Sequence, residues 1–270
     1  MGYSKAIIYG TNLELYTYEA DIRSVGGKRT GVQSGARVQD MDTDSQSSRT
    51  QRLQKRQDNQ NRSLLEFRRL VCANISEFEA PVLVTVTYST NQTDLGCGYE
   101  DWKTFARNMC KRFGKNIRYI AVPEFQRRGA VHFHALYWGL PSDTANKERD
   151  TRLVASLWGH GYVDVYLTDG RENLAGYLSK YMSKAYYDER MFGRRMYRCS
   201  RNIFRPLVEK KVGMWYLSEM YGIGVDNPPC KDKEFQTQWL GKGRFRFYKN
   251  IKLNYNGSQK YSSDLAPLRL

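Results

Sequence analysis

The chain has 270 residues, of which 40% are hydrophobic, so one main domain with appendages can bury a sizeable core. Its 43 lysines and arginines outnumber 28 aspartates and glutamates and give a formal net charge of +15, which favours a polyanionic partner such as nucleic acid. No run of 18 apolar residues and no signal peptide occurs, which argues against a membrane partner. The five cysteines show no Cys-x-x-Cys spacing, which argues against a disulfide framework and a zinc ribbon.

The amino-terminal part of the chain divides into three predicted segments. Residues 6–19, AIIYGTNLELYTYE, predict a strand pair within a first segment, residues 1–20. Residues 21–48 are rich in Gly, Ser, Gln, Thr and Asp and lack an apolar period, which predicts a mobile polar loop. From about Arg49 to Asn74 the apolar spacing predicts a helix, whose basic residues would face either DNA phosphates or solvent.

A strand, a helix and a hairpin are predicted next. Residues 81–89, PVLVTVTYS, alternate valine with leucine and threonine as a strand does, and residues 102–113 predict a helix. The segment IAVPEFQRRGAVHFHALYW, residues 120–138, then predicts a hairpin. Its loop is Arg127-Arg128-Gly129, with the glycine at the position that needs positive φ.

Two histidines and one glutamate come together in this predicted hairpin. Side chains at i and i+2 of a strand share a face, so His132 and His134 point the same way. The hairpin register places Glu124 opposite His132 and within diagonal reach of His134. Two nitrogens and one oxygen with open positions suit Mn²⁺ or Mg²⁺ better than a closed zinc site. The alternative is an exposed strand face that carries two histidines by chance.

A short helix, a strand and a longer helix are predicted in the following sixty residues. Residues 153–158 predict the short helix, and residues 161–168 the strand. Asp169 followed by Glu172 is typical of a capping box, which predicts an amphipathic helix over residues 170–187.

This amphipathic helix carries two tyrosines, each followed three residues later by a lysine. Tyr177 and Tyr181 are four residues apart, so both hydroxyls can reach one site. A phenol with a pKa of about 10 needs nearby positive charge to act as a nucleophile, and Lys180, Lys184 and a metal ion would supply it. The alternative is a pair of aromatic residues at the border of an apolar stripe.

The elements together predict an α+β fold with a central antiparallel sheet and helices packed against one face. The main domain is expected to span residues 49–210. Residues 211–270, which include the alternating segment GRFRFYKNIKLNY, are expected to form a basic and aromatic extension packed on that domain. Sheet packing and stacking on nucleic acid bases are both open for its aromatic residues.

The combination of a histidine hairpin and a tyrosine helix resembles a known family, the HUH endonucleases, and within it the two-tyrosine rolling-circle replication initiators. PVLVTVTYS is similar to the family's first motif, PEFQRRGAVHFHALYW to its metal motif and GYLSKYMSK to its tyrosine motif. The segments GHGYVDV and GRRMYRCSRNIFRP also resemble initiators of small single-stranded DNA phages and related plasmids. The resemblance implies a ferredoxin-like HUH endonuclease fold.

The resemblance also implies roles for particular residues. Glu124, His132 and His134 correspond to metal ligands, Tyr177 and Tyr181 to the nucleophiles, and Lys180 and Lys184 to lysines that steady the scissile phosphate. Such enzymes nick single-stranded origin DNA, keep a 5′-phosphotyrosine link, leave a 3′-hydroxyl primer and later rejoin the strand. Four arginines are further candidates for DNA contact: Arg127, Arg128, Arg194 and Arg195.

The implied partners are single-stranded or locally melted origin DNA together with a host helicase and polymerase, in the cytoplasm of the host cell. No G-x-x-x-x-G-K-[ST] motif occurs, so ATP hydrolysis is not expected. Within the same class, a relaxase or a transposase is the alternative. Outside it, the alternatives are a non-cleaving binder of single-stranded DNA or RNA and a basic packaging protein, which would bind in a salt-sensitive way without origin preference.

Overall fold

The computed structural model describes most of the chain, and the predicted polar loop at 21–48 and the predicted capping box fall largely outside it. The described residues are 2–20, 46–75, 79–140, 147–168, 173–186, 188–237 and 240–252. Contacts divide the chain into two compact units. One, the terminal unit, comprises Met1–Gln57 with Pro206–Leu270, and the other, the central unit, comprises Asp58–Arg205. The domain boundaries expected from the sequence stay a prediction.

The described residues of the terminal unit form one five-stranded antiparallel sheet, here called the terminal sheet, in the order β8-β1-β2-β10-β9. Its strands are β1 (Ser4–Tyr9), β2 (Asn12–Tyr18), β8 (Leu207–Lys210), β9 (Lys231–Thr237) and β10 (Gly241–Tyr248). The predicted strand pair is confirmed, since β1 and β2 form a hairpin. Helix α5 (Met214–Tyr221) supplies Leu217 and Tyr221 to a core that also contains Leu13 and Leu15.

The described residues of the central unit form a second five-stranded antiparallel sheet, the histidine sheet, in the order β6-β3-β5-β4-β7. Its strands are β3 (Val82–Tyr88), β4 (Arg118–Phe125), β5 (Val131–Trp138), β6 (Gly161–Leu167) and β7 (Arg198–Cys199). The helices are α1 (Gln46–Cys72), which runs on from the terminal unit, α2 (Leu95–Phe113), α3 (Lys147–Trp158) and α4 (Leu174–Tyr186). A 3-10 turn spans Glu189–Met191.

The predicted hairpin is confirmed in register. Glu124 lies opposite His132, and Phe125 opposite Val131. Gly129 has a φ of 88°, which a residue with a Cβ rarely adopts. The amide of Gln126 donates to the carbonyl of Ala130, and the alternation along an antiparallel pair then makes Pro123 part of a non-hydrogen-bonded pair. Proline is therefore tolerated within β4, because no bond to β5 is lost.

Helices lie against both faces of the histidine sheet, so the expectation of helices on one face was wrong. One face packs against α2 and α3, with Trp102 and Trp158 among its buried residues. The other face packs against α4 and the second half of α1, through Leu178 and Phe67. The β4 and β5 strands are central and apolar on both faces over part of their length, which requires cover on both sides.

The five cysteines are free thiols in the structure. Among the described residues, no helix is both long and apolar enough to cross a lipid bilayer.

Candidate active site

The β4–β5 hairpin places two of the three predicted ligands in direct contact. His134 Nε2 lies 2.9 Å from Glu124 Oε2, and the second carboxylate oxygen, Oε1, accepts a hydrogen bond from Lys184 Nζ at 3.0 Å. His132 is the neighbour on the same face, with its ring centroid 6.4 Å from that of His134. The shared face follows from the two-residue period of the strand.

Two threonines of β3 lie beside the two histidines. Thr85 Oγ1 is 3.1 Å from His134 Nδ1, and Thr87 Oγ1 is 3.5 Å from His132 Nδ1. Both contacts follow from the register of β3 against β5, in which each threonine lies opposite one histidine. Since each threonine engages the Nδ1 side of its ring, the Nε2 atoms are the nitrogens turned towards any ligand.

The electrostatic environment keeps the donor atoms in the forms that bind cations. Partial burial, the larger cause, and repulsion from His134, the smaller one, together lower the pKa of His132 from 6.5 to about 4. This imidazole is therefore neutral near pH 7. Burial works to raise the pKa of Glu124, but hydrogen bonds from His134 and Lys184 outweigh it and hold that pKa below its usual value. Glu124 is therefore a carboxylate.

The sequence predicted that three metal ligands converge, and in the structure two of them, Glu124 and His134, are in direct contact. Over the part of the chain that the structure describes, no three His, Cys, Asp or Glu side chains are grouped so as to hold a metal ion. The carboxylate of Glu124 is engaged by His134 and Lys184, whereas His132 Nε2 is buried without any hydrogen-bond partner among the described residues. A buried nitrogen without a partner is costly and therefore calls for an explanation.

Helix α4 presents the two tyrosines to this face. It begins at Leu174, later than the predicted start at residue 170, and the side chain of Asn173 accepts a hydrogen bond from the amide of Gly176. Asn173 therefore caps the helix. The buried stripe of the helix, which includes Leu178, packs against the sheet and leaves the tyrosines on its border.

The two tyrosine hydroxyls meet, as their spacing predicted. The hydroxyl of Tyr181 donates to that of Tyr177 at 2.7 Å, and the Tyr181 ring stacks on the His134 ring with centroids 3.8 Å apart and an interplanar angle of 14°. Burial, and then the hydrogen bond to Tyr177, raise the pKa of Tyr181 above its usual value. The stacking brings the tyrosine pair next to the histidine–glutamate pair.

Two clefts lie on this face of the histidine sheet. One, of about 620 Å³, is lined by Glu124, His132, Lys184 and the hairpin loop. The other, of about 590 Å³, is lined by Thr85, Tyr177, Lys180 and residues of β6 that include Asp164. The two predicted lysines thus line different clefts, and Lys184, which was expected to face a phosphate, pairs with Glu124 here.

The four candidate DNA-contacting arginines fall in two places. Arg127 and Arg128 line the cleft beside His132, where Arg128 also donates to the backbone carbonyl of Tyr88 at 2.7 Å. Arg194 and Arg195 lie on a separate cleft beside β7. All four side chains are exposed.

A comparison with protein families yields a match to part of the chain. Residues 81–186 match the family model described as "Replication-associated protein ORF2/G2P". This segment belongs to that family. The ORF2/G2P segment covers less than half of the chain but contains the hairpin and the tyrosine helix. Searches of curated proteins and of solved structures found no significant match.

Sequence reasoning missed three polar residues within the ORF2/G2P segment: Thr85, Thr87 and Asp164. A signal for the threonines was present, since they alternate with buried valines in β3 and so had to face away from the α2 side of the sheet. What the spacing did not reveal is which strand lies beside β3. Asp164 reaches the same face because β6 pairs with β3 and places it opposite Thr85.

Proposed function

We propose that the chain initiates rolling-circle DNA replication by nicking and rejoining single-stranded origin DNA through a tyrosine nucleophile. The observation that carries this proposal is the hydrogen-bonded pair Tyr177–Tyr181 stacked on His134, inside the ORF2/G2P segment. Two hydroxyls at one point suit two successive strand transfers. The central unit is correspondingly proposed to be a variant of the ferredoxin-like HUH endonuclease fold.

A divalent ion, Mn²⁺ or Mg²⁺, is the cofactor that this proposal implies, and the residues present fit one. Glu124, His132 and His134 would hold it, and the partnerless buried Nε2 of His132 is the atom that a cation would satisfy. The neutral state of His132 and the ionised state of Glu124 are the forms that ligation requires. When bound, the ion would polarise the scissile phosphodiester.

The chemical step forms one bond to phosphorus and breaks another. A tyrosine oxygen attacks the phosphorus, the 3′ oxygen leaves, and the products are a 5′-phosphotyrosine and a 3′-hydroxyl. The proton lost by the phenol is balanced by the proton gained by the leaving oxygen. Attack by a 3′-hydroxyl on the phosphotyrosine reverses the step and rejoins the strand. Extension of the 3′-hydroxyl requires a polymerase, and a duplex origin requires a helicase to open it.

We assign the first attack to Tyr177. Its oxygen accepts the hydrogen bond from Tyr181, so Tyr177 is the member of the pair whose hydroxyl hydrogen is not committed to the other tyrosine. The same bond keeps the proton on Tyr181, whose pKa is raised. Lys180, which lines the cleft beside Tyr177, would steady the phosphate there, and Lys184 would do so beside the ion once Glu124 turns to it.

The double variant His132→Ala/His134→Ala tests the metal part of the proposal. Cleavage of single-stranded DNA should fall at least about 100-fold with Mn²⁺ or Mg²⁺, because the ligands are removed. The dissociation constant for the same DNA should stay within about threefold, since affinity comes mainly from the basic surface. The matched control is His160→Ala, the third histidine, which should cleave like the unaltered chain. Undiminished cleavage by the double variant would contradict the metal site.

A further inference from the structure

A cleft of about 720 Å³ lies in the central unit beside β7, at the edge of the histidine sheet. Its lining combines basic and aromatic side chains: Arg194, Arg195, Arg198, Arg205, Tyr99 and Tyr197. The nicking step proposed above uses none of them. The arginine segment lies outside the ORF2/G2P match.

Two arginines of this cleft are anchored, Arg195 through its backbone and Arg198 through its side chain and its strand pairing. The Tyr99 hydroxyl donates to the backbone carbonyl of Arg195 at 2.7 Å, and the Arg198 guanidinium lies 3.8 Å from the centroid of the Tyr99 ring. Pairing of Arg198 with Ala121 of β4 anchors the segment further. Among the described residues, none of the four arginines forms an ion pair with a carboxylate. Four arginines gathered at one cleft are suited to phosphate groups.

Two partly exposed aromatic side chains, Tyr119 and Tyr197, supply a surface for a nucleobase. Trp102, which is buried, lies behind the cleft surface, and Tyr119 packs beside it with ring centroids 5.6 Å apart. Tyr197 is half-buried, also lines the cleft, and packs its ring on Phe67. Glu66 and Glu100 at the rim could accept hydrogen bonds from a base amino group. Rings beside arginines are the combination that single-stranded nucleic acid binders use.

The cleft lies at the β7 edge of the sheet, between α2 on one face and α1 on the other, whereas the tyrosine pair lies on the face that α1 and α4 cover. Tyr119, which lines the cleft, and Glu124, beside the tyrosines, are five residues apart on β4. An odd separation places them on opposite faces, about 17 Å apart along the strand at 3.3–3.4 Å per residue. One nucleotide therefore cannot occupy both places, but a continuous strand can pass round the β7 edge.

We propose that this cleft is a second DNA site, which holds a nucleotide of the single strand several positions away from the scissile phosphate. The arginines bind its phosphates and the aromatic rings stack on its base. This inference rests on the proposed function, because it takes the substrate to be the strand that is cut. It assigns to the cleft the anchoring of that strand rather than its cleavage.

The test compares Arg194→Ala/Arg195→Ala with Lys111→Ala/Arg112→Ala, which removes the same charge from exposed positions at the end of α2 outside the cleft. Binding is measured in the background Tyr177→Phe/Tyr181→Phe, so that no cleavage occurs. Removal of two phosphate contacts should weaken binding of a single-stranded oligonucleotide about tenfold or more. It should also make the slope of log affinity against log salt concentration shallower by about 1.4, since each phosphate contact contributes about 0.7 to that slope.

The control pair should leave both affinity and slope nearly unchanged. Equal losses of affinity in the two double variants would mean that only net charge matters, and would overturn the proposed site. Photo-crosslinking of an oligonucleotide containing 5-iodouracil gives a second measurement on the unaltered chain. Adducts should map to Tyr119 or Tyr197, and adducts that avoid the cleft altogether would overturn it.

A free nucleotide has the same phosphate and base, so deoxynucleoside triphosphates are tested as competitors at equal nucleotide concentration. The oligonucleotide should bind at least about 100-fold more tightly, and equal affinity would assign the cleft to free nucleotides instead. The two proposals fail separately. Formation of the tyrosine adduct with no role for the arginines would leave the nicking proposal intact, and arginine-dependent binding without an adduct would leave only the DNA site.

Discussion

The two faces of the histidine sheet carry different kinds of residue. The face against α2 and α3 is apolar along its whole length, with Val84, Val86 and Phe133 fully buried. The face against α4 is apolar at one end, at Ile120 and Leu136, and polar at the other, where the histidines, Glu124 and the threonines lie. The face against α2 and α3 therefore contributes mainly to the core, apart from the cleft at its β7 edge, while the other face carries the polar residues of the candidate active site at one end.

The difference has an energetic reason. Burying polar groups costs free energy unless they are paired, and most groups of the polar end are paired with one another. His132 Nε2 is the exception among the described residues of the site. Such exceptions in an otherwise consistent sheet are expected at functional positions. Substitutions on the two faces should therefore have separable effects on chemistry and on stability.

The largest expected effect is on the polar face. Tyr177→Phe/Tyr181→Phe should abolish covalent attachment of DNA, at least about 1,000-fold, because both nucleophiles are lost. Tyr177→Phe alone should slow the first cleavage more than Tyr181→Phe does. Rates are measured by quantifying protein–DNA adducts on denaturing gels. Tyr186→Phe, on the same helix, is the control and should behave like the unaltered chain, and an adduct in the double variant would show that the nucleophiles are misassigned.

The next effect concerns the apolar face. Phe105 of α2 is 1% exposed and packs on Trp158 and Tyr137, so Phe105→Ala should lower the free energy of unfolding by about 3 to 5 kcal/mol. Urea denaturation followed by tryptophan fluorescence measures this loss. Adduct formation by the folded fraction should be unchanged.

Lys111→Ala on the exposed side of the same helix should alter stability by less than about 0.5 kcal/mol. A selective loss of adduct formation in Phe105→Ala, without destabilisation, would break the comparison between the faces.

The smallest effect is a pH dependence from His132. Its pKa is about 4 in the folded chain and 6.5 for an ordinary histidine, so below pH 6.5 the unfolded chain binds a proton that the folded chain does not. The free energy of unfolding should therefore fall as the pH drops from 6.5 towards 4, by at most about 1.4 kcal/mol per pH unit.

Denaturation between pH 5 and 7 with a chelator present isolates this contribution, because Glu124, with a pKa below 4.5, stays ionised there. His132→Gln should flatten the dependence, whereas His160→Gln should leave it in place. Identical slopes in both variants would mean that His132 titrates normally.

The sequence predicted the parts of the site that depend on local geometry. The register of Glu124 with His132 follows from a three-residue loop ending in glycine, and the meeting of Tyr177 with Tyr181 follows from the helical repeat. Both need only neighbouring residues. For the same reason the strands and helices themselves were largely found.

The features that sequence reasoning missed depend on partners far along the chain. Nothing local indicates that β2 pairs with β10 in the terminal sheet, or that β7 extends the histidine sheet beyond β4. Nor does an amphipathic helix reveal which face of the sheet it covers, which is why helices were expected on one face only. The contacts of Thr85 and Thr87 with the histidines were missed because they need the β3–β5 register.

The central claim is tested most directly by incubating the purified chain with single-stranded circular DNA and Mn²⁺ or Mg²⁺, then mapping any DNA-linked peptide by mass spectrometry. The account predicts an adduct on Tyr177 or Tyr181 that disappears with a chelator. Firm DNA binding with no adduct on any origin-containing DNA, or an adduct on a tyrosine outside α4, would contradict it.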